Sequence, residues 1–451
     1  MYTALVILIL LIDASPAVLV IGGPLAPGIV SAVTAIAVAV IAFTLRRSES
    51  ADLRRFCVPL AIAAGLPIGW ILVQMLPVKL PWAHPVWQSA AAALGTPIVG
   101  SFSIDRGLTL VALNRYVGAV AIMFVAAAVA VDRHRAKWIL TALTGATTLI
   151  AIVVAVQHLT GVQLFSDTDG RASHDAALDG IALGAVLCAA AAAYVLDGSK
   201  SLRSKPDVEP SRVLPLTSSL AAFVICVLVL ACFGSAHALF AFAIGLAIFL
   251  AIGASRRFAL SPWGIAGILS MMFLVGSSII ATQPRIYAAD PTLALADAPK
   301  SLVSVTERIL ADGTWTGSGA GTFGALVPIY KDPDDLVDRR APTTAAALVV
   351  ELGRPALLVI VAIAMFGVVL LFRSGLARRR DWFYPAAGAS CLLTAVLLVF
   401  SNIGFSSTPG LMILASSIGM AFGQSQRRAP PHVSKPKNDA GASTRKRHLA
   451  A

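Results

Sequence analysis

Charge is what this sequence has least of. Asp, Glu, Lys and Arg make up 13% of its 451 residues, about half the fraction usual in soluble domains. Cysteine is confined to Cys57, Cys188, Cys226, Cys232 and Cys391, each within an apolar run and none in a CxxC pair. That excludes a disulfide framework and a cysteine-built metal centre. HExxH and GxSxG are absent, and no apolar run holds a carboxylate pair. Zincin hydrolysis, nucleophile-elbow chemistry and a carboxylate-paired proton pump therefore have no sequence support, and no metal site is expected. The N-terminal run MYTALVILILLIDASPAVLVIGG has no basic residue ahead of it, so it reads as a first membrane span and not as a cleaved signal.

Apolar sequence is what fills the chain. It is 57% hydrophobic, with a mean hydropathy of +0.83, which points to an all-α polytopic membrane protein. About 12 segments approach the ~20 residues needed to cross a bilayer core. They lie near 2–21, 25–45, 56–76, 108–131, 138–157, 178–196, 214–233, 236–254, 263–283, 344–372, 382–401 and 406–424. The net charge of +12 does not form a nucleic-acid face. Its lysines and arginines cluster in alternate loops, around Arg46, Arg133, Lys200, Arg256 and Arg378, and in the tail after residue 424. The positive-inside rule assigns those loops and both termini to the cytoplasm, and an even span count agrees. Residues 1–424 then form the membrane domain and 425–451 a basic, disordered cytoplasmic tail.

Three polar loops are left for the opposite face, near 77–107, 158–177 and 284–343. Trp82 and Trp87 in the first suit an interfacial belt. The third is the longest. Within it, 298–312 reads as a short amphipathic helix, with Leu302, Val305 and Ile309 on one face, Asp297 as N-cap and Gly313 as stop signal. It would rest on the membrane surface or on the bundle.

The most polar stretch, Glu307 to Gly353, holds most of the residues that could carry chemistry. Gly317, Gly319 and Gly321 lack the spacing and βαβ context of a nucleotide loop. They form a tight turn, or a backbone able to approach an anionic group closely. Arg308 and Arg171 stand in two different outer loops, and arginine forks suit phosphate or pyrophosphate. Arg339 and Arg340 are surrounded by Asp332, Asp334, Asp335 and Asp338, which predicts mutual neutralisation. Ionisable residues within spans are costly and are default site candidates: Asp13, Arg115, Glu351 and Arg354. Glu351 and Arg354, three apart, could pair with each other. His237 stands alone at a helix end.

The order Arg308, then Gly317-Ser-Gly-Ala-Gly-Thr-Phe323, Pro328, Tyr330, a polar loop and Glu351-Leu-Gly353 opening a long span resembles the O-antigen ligase and polymerase superfamily of bacterial envelope glycan enzymes. SFSIDRGLTLVALNRY, VQHLTGVQLF and Asn402–Gly423 are similar to further parts of it, so the resemblance covers about 77–423. It implies a GT-C-like helical glycosyltransferase in the inner membrane, active at the periplasmic face without metal or other cofactor. The implied donor is a polyprenyl-pyrophosphate-linked glycan and the acceptor a lipid-A core sugar or another lipid-linked glycan. Arg308, Arg171, Arg339, Arg340, the three glycines and Tyr330 would hold the pyrophosphate and substrate. The family's usual loop histidine is replaced by Ala341-Pro-Thr-Thr344. Either Glu351, His237 or His174 takes its part, or catalysis is altered or lost. Two other readings stay open: a transporter or flippase of a lipid-linked or anionic solute, and a non-catalytic envelope assembly protein.

Overall fold

The computed structural model describes residues 1–21, 25–44, 47–79, 83–96, 98–162, 164, 170–200, 213–258, four isolated positions between 264 and 274, 290–332, 339–378 and 381–425. Among them there is no β-strand, only one isolated bridge between Val78 and Gly100. In lipid a backbone must satisfy its own hydrogen bonds, and long Ala-, Leu- and Val-rich runs do so as helices.

The helices are α1 (Tyr2–Ile21), α2 (Leu25–Thr44), α3 (Arg47–Met75), α4 (Pro85–Leu94), α5 (Arg106–Ala130), α6 (Arg133–Thr160), α7 (Gly170–Lys200), α8 (Val213–Phe233) and α9 (Ala236–Phe258). After them come α10 (Lys300–Ala311), α11 (Phe323–Tyr330), α12 (Thr344–Leu352), α13 (Arg354–Ala377), α14 (Phe383–Val399) and α15 (Thr408–Ser425). Nine of the described helices are long and apolar enough to span a membrane; eight coincide with expected spans, and the ninth, Arg354–Ala377, overlaps only the later part of the one expected at 344–372. The expected span at 382–401 is the 17-residue α14, that at 406–424 is α15, and that at 263–283 lies outside the described residues, as does the tail.

Local chemistry fixes several helix starts. Asp105 accepts from Gly107 and Leu108 N–H to open α5, and Asp132 accepts from His134 and Arg135 N–H to open α6. Lipid tails are as apolar as leucine, so the bundle coheres through close contact of small residues and not through apolar burial from water. In the α5–α15 pair, Gly419 and Gly423 of α15 lie against the backbone of Met123 and Ala127, where no side chain fits. At the centre of the main core, α7 and α14 contribute Ile181, Leu183, Leu187, Phe383 and Tyr384, all fully buried.

A second, smaller core caps one end of the bundle. It joins Leu293, Val305, Ile309, Phe323, Val327, Ala346, Val350 and Ile403, drawn from α10, α11, α12 and the loops beside them. The expected amphipathic helix is here as α10, with Leu302, Val305 and Ile309 buried as the spacing required. It packs on α11 and α12. Its N-cap is Pro299, without a side-chain bond, and not Asp297, whose N–H instead reaches the Ser401 carbonyl.

The expected continuous span at 344–372 is broken. Gly353 adopts φ 91° and ψ 158°, ending α12 after nine residues and starting α13 on a new axis. Thr343 caps α12 by accepting from Ala346 N–H at 3.0 Å. A helix-capping threonine thus stands in the Ala341–Thr344 stretch, where the family pattern led us to expect a histidine.

Candidate functional site

The break at Gly353 leaves the last carbonyls of α12 without helical partners, and such orphans must be satisfied from elsewhere. The glycine turn satisfies two. Ser318 N–H donates to the Val350 carbonyl at 2.9 Å and Gly319 N–H to the Glu351 carbonyl at 3.0 Å. Helix α3 satisfies the rest. Trp70 Nε1 donates to the Leu352 carbonyl at 2.9 Å. Gln74 Nε2 donates to the carbonyls of both Glu351 and Thr316 at 2.8 Å, tying the α12 end to the turn. The turn also accepts from outside: Ile104 N–H donates to the Ser318 carbonyl at 2.8 Å.

The glycines are required by this closeness. Gly317, Gly319 and Gly321 have φ of 76°, 109° and 77°. A Cβ on Gly317 would overlap the Glu351 carbonyl, and one on Gly319 would overlap Ser103. Here φ and contact make the same demand.

The Glu351 side chain turns back beneath the same turn. Its carboxylate accepts from Phe323 N–H, the first residue of α11, at 3.3 Å, and from the Gly321 backbone. Removal from water pushes this carboxyl up to about 7; the Gly321 and Phe323 N–H groups and the charge of Arg115 pull the other way. The anionic group approached by the glycine backbone is therefore the chain's own Glu351. Arg115, on α5, donates from Nη1 to the Ser406 carbonyl, while its buried Nε has no hydrogen-bond partner. A narrow crevice reaches Arg115 between α2, α5 and α15, past Val30, Ala119, Ile122, Leu411 and Met412. One cation and one dehydrated carboxyl, within electrostatic reach of each other, can together hold an anion and move a proton.

The other expected residues lie apart from this centre. Arg308 forms an exposed two-point pair with Asp332, at 3.2 and 3.4 Å. Asp332 is thus a partner of Arg308; Asp334, Asp335 and Asp338, the other carboxylates expected around Arg339 and Arg340, lie outside the described residues. Arg339 is exposed and Arg340 half-buried. Tyr330 ends α11, hydrogen-bonded with Asp312; burial and that carboxylate raise its phenol above its ordinary range. His237 begins α9 within electrostatic range of Asp297. Arg171 is in the first turn of α7, with its side chain outside the described residues. The expected Glu351–Arg354 pair does not form. Gly353 interrupts the helix between them, and Arg354 pairs with Asp290 at 3.1 Å.

Two polar groups within spans escaped the sequence reading. Gln74 was visible as a lone amide in WILVQM. Asp179, fully buried on α7, accepts from Asn402 Nδ2 at 2.6 Å, and Asn402 in turn receives Gly404 N–H. That bond links α7 to the loop before α15. Among the described residues no group of three or more metal-ligating side chains occurs. No family model matches this sequence, and no curated protein matches it.

Proposed function

We propose that this chain is a glycan ligase or polymerase of the bacterial inner membrane, using a polyprenyl-pyrophosphate-linked donor at the outer face. The observation that carries the reading is the buried Glu351 carboxyl, held by the Gly321 and Phe323 N–H groups of the glycine turn and within electrostatic reach of Arg115. In this reading Glu351, ionised, accepts the proton of the acceptor hydroxyl. The acceptor oxygen bonds the anomeric carbon as the bond from that carbon to the pyrophosphate oxygen breaks. The polyprenyl pyrophosphate departs with the bonding electrons, and Arg115 stabilises the charge it gains. Proton, electrons and leaving group balance without a metal. Arg115 replaces Arg308 as the principal anion holder, because Arg308 is exposed and already paired with Asp332.

The experiment is deletion of the gene followed by gel analysis of surface polysaccharide and of lipid-linked precursors. Loss of polymer with accumulation of precursor is expected. Complementation with Glu351→Gln or Arg115→Ala should fail although the variant proteins reach the membrane. Restoration of polymer by both variants would overturn the assignment. A second reading, a transporter or flippase of a lipid-linked or anionic solute, draws on the helix break at Gly353, since discontinuous helices are how transporters present backbone groups to solutes. It predicts an unchanged polysaccharide profile and a changed uptake or flipping rate.

A further inference from the structure

Helix α1 has two faces. One, with Ala4, Leu5, Leu8, Leu11, Ile12 and Leu19, is buried in the bundle. The other is exposed and carries Thr3, Val6, Leu10, Asp13 and Ala17, spaced alternately three and four apart, the seam along which a second helix packs. Val6 and Leu10 are 54% and 63% exposed. In a membrane-spanning helix such a face meets lipid.

Asp13 does not belong on a lipid-facing surface. α1 is 20 residues long, and Asp13 is about 17 Å from its start at ~1.5 Å per residue, close to the middle of a hydrocarbon core about 30 Å thick. Charged side chains at that depth ordinarily face the bundle interior or a partner. Asp13 makes no hydrogen bond or ion pair among the described residues, and in the described spans it is the one charged side chain exposed at mid-depth. The seam around it is built for close approach, with Ala17 one turn on.

We propose that this face of α1 is the docking surface for a transmembrane helix of another membrane protein that presents a lysine or arginine at mid-bilayer depth. Charge complementarity selects that partner over a second copy. A copy in the same orientation would set Asp13 against Asp13. Nor does the described surface offer a cation at that depth: Arg115 turns inward to Ser406, and Arg133, Arg257 and Arg373 stand at helix ends.

The test uses the full-length protein, fluorescently labelled, in phosphatidylcholine vesicles. The probe is an acceptor-labelled single-span peptide of Leu and Ala with one central Lys, compared with the same peptide carrying Leu there. The expected result is at least ten-fold tighter association of the Lys peptide, a preference lost in Asp13→Leu and largely lost in Asp13→Asn. Equal association of the two peptides, or a preference unchanged by Asp13→Leu, would overturn the proposal. So would Asp13-dependent energy transfer between two labelled copies with no peptide preference, which would assign the face to self-association. Unchanged melting of the exposed-site variants separates a lost partner from a lost fold.

Discussion

Replacing Gly353 by alanine isolates the hinge on which the candidate site rests. At φ 91° and ψ 158° the residue occupies a region essentially reserved for glycine, and an L side chain held there costs about 1–3 kcal/mol. Contact adds to strain. The new Cβ would fall on the Trp315 carbonyl oxygen and beside the Glu351–Gly317 contact, so the turn and the α12 end must separate. Separation threatens the Ser318–Val350 and Gly319–Glu351 bonds, each worth about 1 kcal/mol and more if a buried carbonyl is left bare. The sum is about 3–5 kcal/mol, a large part of the stability of a typical domain. Thermal melting of the detergent-solubilised protein, followed by size-exclusion fluorescence, should show a clearly lower midpoint. Gly65→Ala is the control: it lies inside α3 with nothing within 4 Å of the added Cβ, and should be neutral or slightly stabilising. Equal midpoints for Gly353→Ala and Gly65→Ala would refute the claim that the break is held by this contact.

Gln74→Leu removes the donor shared by the Thr316 and Glu351 carbonyls and should destabilise by about 1–3 kcal/mol, read as a lower melting midpoint; Gln74→Glu, which cannot donate when ionised, should not rescue it. Arg308→Ala breaks an exposed pair with Asp332, worth less than about 1 kcal/mol; melting and polysaccharide output should both stay close to wild type, and loss of polymer would return the pyrophosphate role to Arg308. The Glu351 carboxyl, held up to about 7 by burial, sets two pH dependences. As a base it works only when ionised, so transfer should rise as pH climbs through about 7. Because the folded form keeps its proton above the pH at which the unfolded form loses it, folding stability should fall as pH rises from about 4.5 to 7. Glu351→Gln should flatten the stability slope, measured by melting at stepped pH.

Much of the architecture was legible because its causes are local. Bilayer thickness and backbone hydrogen bonding turn an apolar run of about 20 residues into a helix whatever its neighbours, and eight expected spans match described helices for that reason. The buried stripe of α10 followed from the spacing of Leu302, Val305 and Ile309. The glycine triplet was legible as a turn, since positive φ is a property of the residue itself.

Partnership was decided elsewhere. The sequence paired Glu351 with Arg354 by helical spacing, but one backbone angle at Gly353 cancels that spacing and sends Arg354 to Asp290, 64 residues away. Nothing near Gly317 in the chain announces that its turn closes on the end of α12, or that Gln74, from a span more than 240 residues earlier, ties both together. Apolar length and glycine content by themselves determined that this is a helical membrane chain with a tight turn in its longest polar segment. Only tertiary structure determined which carbonyls, carboxylates and guanidinium groups meet there, because an orphan hydrogen-bond group in a low-dielectric interior takes whatever partner the packing brings, at any distance along the chain.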